Sequence, residues 1–149
     1  MKRGFVTGLL AVLLVMAASN ANATTKDGFK WGLGLAGGVG VGGLSGTMDT
    51  DGPISYQAIV DLQPGAAAKL RYAFQREKRY DLYVNGFAGW KDGWGSSGLW
   101  AGGGVGVDWD WRSLSPDLPP ISWALEIDAA TNADGNFGLD INLGIHWNF

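Results

Sequence analysis

The chain has 149 residues, 11 Lys and Arg against 14 Asp and Glu for a formal charge of −3, and no cysteine. The missing cysteine excludes a disulfide framework and any thiolate metal site. The acidic balance, with no basic patch to neutralise phosphates, excludes nucleic acid as a partner.

Met1 to Ala23 carries a basic start (Lys2, Arg3), an apolar run from Leu9 to Ala18, and Ala21-Asn22-Ala23 before Thr24. That three-part layout predicts a secretory signal peptide over 1–23, cut after Ala23, with no lipidated cysteine at the cut. The expected mature unit is a single domain, 24–149. Loss of Lys2 and Arg3 takes its charge from −3 to −5. It holds no apolar run of 18 residues, so if it crosses a membrane it does so as a closed barrel, the other arrangement that satisfies every backbone group in lipid.

Downstream, the pattern has period two and is punctuated by turn residues. Phe29 to Gly37 places Trp31, Leu33 and Leu35 on one face and Gly32, Gly34 and Ala36 on the other. Gly40 to Met48 is the weakest strand pattern, with Leu44 and Met48 opposed to Ser45 and Thr47. After the turn Asp49 to Pro53, the stretch Ile54 to Leu62 sets Ile54, Tyr56, Ala58, Val60 and Leu62 against Ser55, Gln57, Ile59 and Asp61. Ala66 to Gln75 alternates Ala68, Leu70, Tyr72 and Phe74 with Lys69, Arg71 and Ala73. The charged turn Arg76 to Arg79 leads to Tyr80 to Trp90, where Leu82, Val84, Gly86 and Ala88 oppose Asp81, Tyr83, Asn85 and Phe87.

Gly98 to Trp111 gives Leu99, Ala101, Val105, Val107, Trp109 and Trp111 against Trp100, three glycines, Asp108 and Asp110. Three prolines between Arg112 and Pro120 keep that segment out of a sheet interior. Ile121 to Ala130 sets Ile121, Trp123, Leu125 and Ile127 against Ser122, Glu126 and Asp128. Asp134-Gly135 then turns the chain into Asn136 to Phe149, whose alternate residues Phe137, Leu139, Ile141, Leu143, Ile145, Trp147 and Phe149 are all apolar. The expectation is an all-β fold: an eight-stranded, antiparallel, up-and-down transmembrane β-barrel. The last stretch exceeds the roughly nine to eleven residues a tilted strand needs to cross hydrocarbon.

A terminal aromatic preceded by alternating apolar residues, here Leu143, Ile145, Trp147 and Phe149, resembles the C-terminal β-signal of bacterial outer-membrane barrels. The patterned, glycine-rich strands are similar to those of the small eight-stranded members of that class. The resemblance implies a bacterial outer-membrane location, with outer-membrane lipids, lipopolysaccharide and the barrel assembly machinery as partners. It further implies a monomer with a plugged lumen and a structural or surface-interaction role in the envelope, without a cofactor.

If the last strand runs toward the periplasm, each aromatic acquires a depth. Trp31, Tyr72, Phe74, Tyr80, Trp109, Trp111, Trp123, Trp147 and Phe149 fall at the rim that carries the chain ends, and Trp90 and Phe137 at the other, with Trp94 in the loop beyond. Such girdles mark the two interfaces of a membrane barrel. The apolar face is too bulky for an eight-stranded lumen, which side chains just fill. The inward face therefore receives Gly, Ala, Ser, Asn and a polar network of Asp61, Lys69, Arg71, Asp108, Glu126, Asp128, Asp140 and His146, with Asp81 near it. Charges buried there must be paired.

Two other functions compete with this one. A lipid A-modifying enzyme would use His146, the only histidine, as a general base, yet no Ser or Thr stands in alternate register beside it and the His-x-Ser arrangement of the lipid A deacylases is absent, since Trp147 and Asn148 follow. No catalytic set is therefore expected. A soluble periplasmic lipid-binding barrel would turn the apolar face inward. Gly32 to Gly37 matches GxGxxG without the flanking strand and helix that motif needs. Asp49 to Gly52 matches half a calcium loop and reads as a turn. Asp108, Asp110, Glu126 and Asp128 read as solvated or paired carboxylates, so no metal site is expected.

Overall fold

The computed structural model describes residues 31–38, 41–77, 79–92 and 97–149. The expected signal peptide and Trp94 lie outside them. Eight strands follow in order: β1 (Trp31–Gly38), β2 (Val41–Asp49), β3 (Ile54–Asp61), β4 (Gly65–Arg76), β5 (Tyr80–Lys91), β6 (Gly98–Asp110), β7 (Ile121–Asn132) and β8 (Phe137–Asn148). Each is antiparallel to the next, and β1 pairs with β8 from Gly32↔Asn148 to Ala36↔Gly144, which closes the barrel. Closure leaves no strand edge, so the ladder groups of every strand are paired within the ring.

The strand ends move by a few residues from those the pattern suggests, for local reasons. β6 stops at Asp110 rather than Trp111, because the Asp110 carboxylate accepts from the Arg112 amide at 2.8 Å and the chain enters a 3-10 turn over Trp111–Ser113. β7 continues to Asn132, whose side-chain carbonyl accepts from the amides of Asp134 at 3.1 Å and Asn136 at 2.8 Å. That knot and the positive φ of Gly135, 81°, make the turn into β8. β4 carries an irregularity between Ala73 and Gln75, so Phe74 has no register partner on β5. The wall is uneven: β1 to β3 have 8 or 9 residues, β4 to β8 have 12 or 13.

The pleat sends alternate side chains to opposite sides of a strand. Leu33, Leu35, Leu44, Leu70, Val105, Ile127, Leu139, Ile141 and Leu143 are exposed on the outside, while Lys69, Arg71, Glu126, Asp128 and His146 are buried inside. Two large aromatics also point inward, Tyr83 and Phe87. They fit because β6 beside them is glycine on its inner face. A Cβ at Gly106 would sit 2.6 Å from the Tyr83 ring, and one at Gly102 would sit 2.7 Å from Phe87 Cζ. The small apolar part of the interior is Ile59 against Ala36, with Ala67 beside them.

Gly104 gives a direct test of this packing. A Cβ there would lie 2.1 Å from Asp128 Oδ1 and 2.2 Å from the Ile127 carbonyl, whereas one at Gly138 would meet nothing within 4 Å. Gly104→Val should destabilise the barrel by at least the ~1–3 kcal/mol typical of overpacking, read by chemical denaturation. Gly138→Ala should leave the midpoint in place.

Candidate functional site

The strand register brings polar side chains from β2 through β8 to the barrel axis. Gln57, Lys69 and Phe87 share one cross-strand row, Ser55, Arg71, Asn85, Gly104, Asp128 and Asp140 the next, and Tyr83, Gly106, Glu126 and Asn142 a third. In a ring this narrow, a long side chain from β4 reaches the opposite wall, and that is where the acids of β7 stand.

Lys69 Nζ donates to Glu126 Oε2 and, at 2.9 Å, to Asp128 Oδ2. Asp128 has no exposed surface at all. Its carboxylate also accepts from Asn85 Nδ2 at 2.8 Å and from Asn142 Nδ2 at 2.6 Å. Glu126 Oε1 accepts from the Tyr83 hydroxyl at 2.8 Å and faces Arg71 NH2 at 3.0 Å. Arg71 donates through NH2 to Gln57 Oε1 at 2.6 Å and lies 3.6 Å from Asp108 through NH1. Both cations also stand over rings, Lys69 Nζ 5.4 Å from the Phe87 centroid and Arg71 Cζ 4.9 Å from that of Tyr83. Two cations thus bridge three carboxylates, and two amides and a phenol add donors to Asp128 and Glu126, the condition under which buried ions are tolerated.

The chain of contacts continues past Arg71. Gln57 Nε2 donates to Ser45 Oγ at 2.8 Å, and Ser45 Oγ is 2.8 Å from His146 Nε2. A hydroxyl therefore does sit beside His146, contrary to the expectation from β8 alone. Ser122 is the direct register partner of His146 in the β7–β8 hairpin, whereas Ser45 is on β2, one strand beyond β1, and only closure of the ring brings it there. The pair falls short of a triad. His146 is 1% exposed, and its Nδ1 has no partner where a carboxylate would be needed.

Of the eight residues expected in the lumen network, Lys69, Arg71, Asp108, Glu126, Asp128 and His146 belong to one connected set. Asp61 instead accepts from the Gln63 amide at 3.0 Å in the turn after β3. Asp140 is half-buried opposite Asp128 in the β7–β8 register. Asp81 pairs with Arg76 at 3.7 Å near the terminal rim. Ser45, Gln57, Tyr83, Asn85 and Asn142 complete the set and carried no charge to single them out; inward parity on their strands was their one signal. Among the described residues no group of three His, Asp or Glu side chains is placed to hold a metal ion.

The aromatics gather at strand ends. Trp109 and Trp123 are register partners, and Trp111, in the 3-10 turn, stacks on Trp123 with centroids 6.0 Å apart and planes at 21°. Trp31, Tyr80, Trp147 and Phe149 lie at the same rim as these, and Trp90 and Phe137 at the other. Trp100, on the lumen side of β6, adds an inward aromatic near that second rim.

No family model, curated protein or solved structure matches the chain. The fold and the lumen define the class by themselves: a small, closed, eight-stranded, antiparallel up-and-down barrel, crossed from wall to wall by a buried ion network.

Removing one cation should show how tightly the network is balanced. Lys69→Met leaves Asp128 without a cation and Glu126 with Arg71 alone, and should cost about 3–5 kcal/mol, the range for breaking a buried pair from one side. Adding Glu126→Gln and Asp128→Asn should return most of that loss, as measured by denaturation of the single and triple variants.

Proposed function

We propose that the protein is a small outer-membrane β-barrel with a plugged lumen, serving as a structural or surface-interaction element of the bacterial envelope. The observation that carries the reading is the inverted burial: ions inside, leucines and isoleucines outside. Ile141, at the middle of β8, is 71% exposed, and Leu139 before it 72%. A belt of this kind is a large contiguous apolar surface of the sort that marks a membrane or protein contact rather than a face in water. The strands of 12 or 13 residues exceed the roughly nine to eleven required to cross the bilayer core. The aromatics at both rims supply the interfacial anchors.

The polar lumen supports this reading over a soluble lipid-binding barrel, whose interior would be apolar. The Lys69–Glu126–Asp128 cluster and the Tyr83 and Phe87 rings fill the axis, which favours an anchor or display scaffold over a pore. The chain ends, with the terminal Trp147 and Phe149, suit the periplasmic rim and recognition by the barrel assembly machinery. Outer-membrane lipids and lipopolysaccharide are the partners this wall would meet.

The expressed protein should be recovered with the outer membrane and show a heat-dependent gel shift in detergent; recovery in the soluble periplasm would reject the reading. A single substitution discriminates more finely. Ile141→Arg should destabilise the barrel in lipid bilayers by about 2–4 kcal/mol, the cost of arginine near the midplane. At a water-exposed site the same change falls within about ±0.5 kcal/mol.

A further inference from the structure

The outer wall is not smooth near the terminal rim. Tyr80 at the start of β5 and Val107 and Trp109 near the end of β6 form the floor of a groove of about 400 Å³, and Leu114, Ser113 and Arg79 complete it. The groove is shallow and open on its outer side, so an occupant lies along the wall rather than inside it. Hydrogen bonds hold the covering segment in place. The Asp110 carboxylate accepts from the Arg112 amide at 2.8 Å, and Arg112 Nε donates to the Leu118 carbonyl at 3.2 Å. The Ser113 hydroxyl bonds the Asp110 carbonyl and lies 3.5 Å from the Arg79 carbonyl, which ties the segment to the turn between β4 and β5.

The lining of the groove is almost wholly apolar, aromatic and aliphatic, and the exposed Arg79 borders it. Arg76 in the same turn is 3.7 Å from Asp81, and the Glu77 carboxylate is 3.4 Å from the Gln75 amide. Arg79 is exposed and makes no ion pair among the described residues. An occupant that uses both features brings a hydrocarbon stretch to the apolar lining and, beside it, a negative charge whose oxygens match the planar fork of N–H donors that the unpaired Arg79 can turn toward it.

We propose that this groove binds one anionic phospholipid, with an acyl chain along Val107, Trp109 and Leu114 and its phosphate on Arg79. The proposal rests on the membrane reading, which sets the terminal rim at headgroup depth. A zwitterionic lipid carries its own ammonium beside the phosphate and gains less from the guanidinium.

The test uses the full barrel purified in detergent and native mass spectrometry with phosphatidylglycerol and phosphatidylcholine at equal concentration. A single phosphatidylglycerol adduct should be retained in about fivefold preference, the factor that corresponds to the ~1 kcal/mol a basic residue contributes at an anionic membrane. Arg79→Glu should abolish that preference, and Val107→Trp, which fills the groove, should reduce adducts of both lipids. Equal retention of the two lipids, or a preference that survives Arg79→Glu, overturns the proposal. The heat-dependent gel shift of each variant reports its fold, and Arg79→Glu, at an exposed side chain, suffices if Val107→Trp does not close. A wild-type chain that stays soluble without detergent defeats the membrane reading instead, so the two failures are told apart.

Discussion

A ring of eight strands has a fixed girth, and the side chains sent inward must fill it without forcing it open. Every other feature of this barrel follows from how that space is shared. The aromatic rings of β5 are accommodated by glycines on β6, and Asp128 lies against Gly104, where a Cβ would sit 2.1 Å away. β1 contributes Gly32, Gly34 and Ala36 to the inside, which leaves room for His146 to reach Ser45 across it. Gly102, Gly104 and Gly106 on β6 and Gly32 and Gly34 on β1 are thus consequences of girth rather than of turns.

Filling a narrow tube with ions carries its own demand. A buried carboxylate is tolerated only when its lone pairs and its charge are both answered. Here Lys69 and Arg71 reach from β4 toward β7, and Asn85, Asn142 and Tyr83 supply the remaining donors. The network therefore specifies which strands face one another across the axis, and a register slip by one residue would turn it out to the apolar side. The same alternation places the leucines and isoleucines outside. On the proposed reading, lipid removes the cost of their exposure, so the outer belt and the inner ions are two results of one pleat.

Much of this was legible from the chain alone, because period two is a local property. It separates Leu139, Ile141 and Leu143 from Asp140, Asn142 and Gly144 without any knowledge of neighbours, and eight such runs with short turns imply closure. Contacts across the lumen were not legible in the same way. They depend on how far the ring is sheared, which no single strand states, so charged residues stood out while Gln57, Asn85 and Asn142, equally placed, did not. His146 shows the limit clearly. Its partner Ser45 is remote in sequence and sits on a strand that is not its neighbour in the sheet, so inspection of β8 suggested that no hydroxyl was near. Strand ends were missed where side chains act on the backbone, as Asp110 and Asn132 do.

The account depends most on which solvent the outer face of β8 meets. The chain has no cysteine, so single cysteines introduced in turn from position 138 to 145 can carry a nitroxide whose exposure to molecular oxygen and to a water-soluble nickel complex is measured in reconstituted bilayers. Positions 139, 141 and 143 should be open to oxygen and shielded from nickel, with 140, 142 and 144 shielded from both. Strong nickel exposure at 139, 141 and 143 would place that face in water and contradict the account.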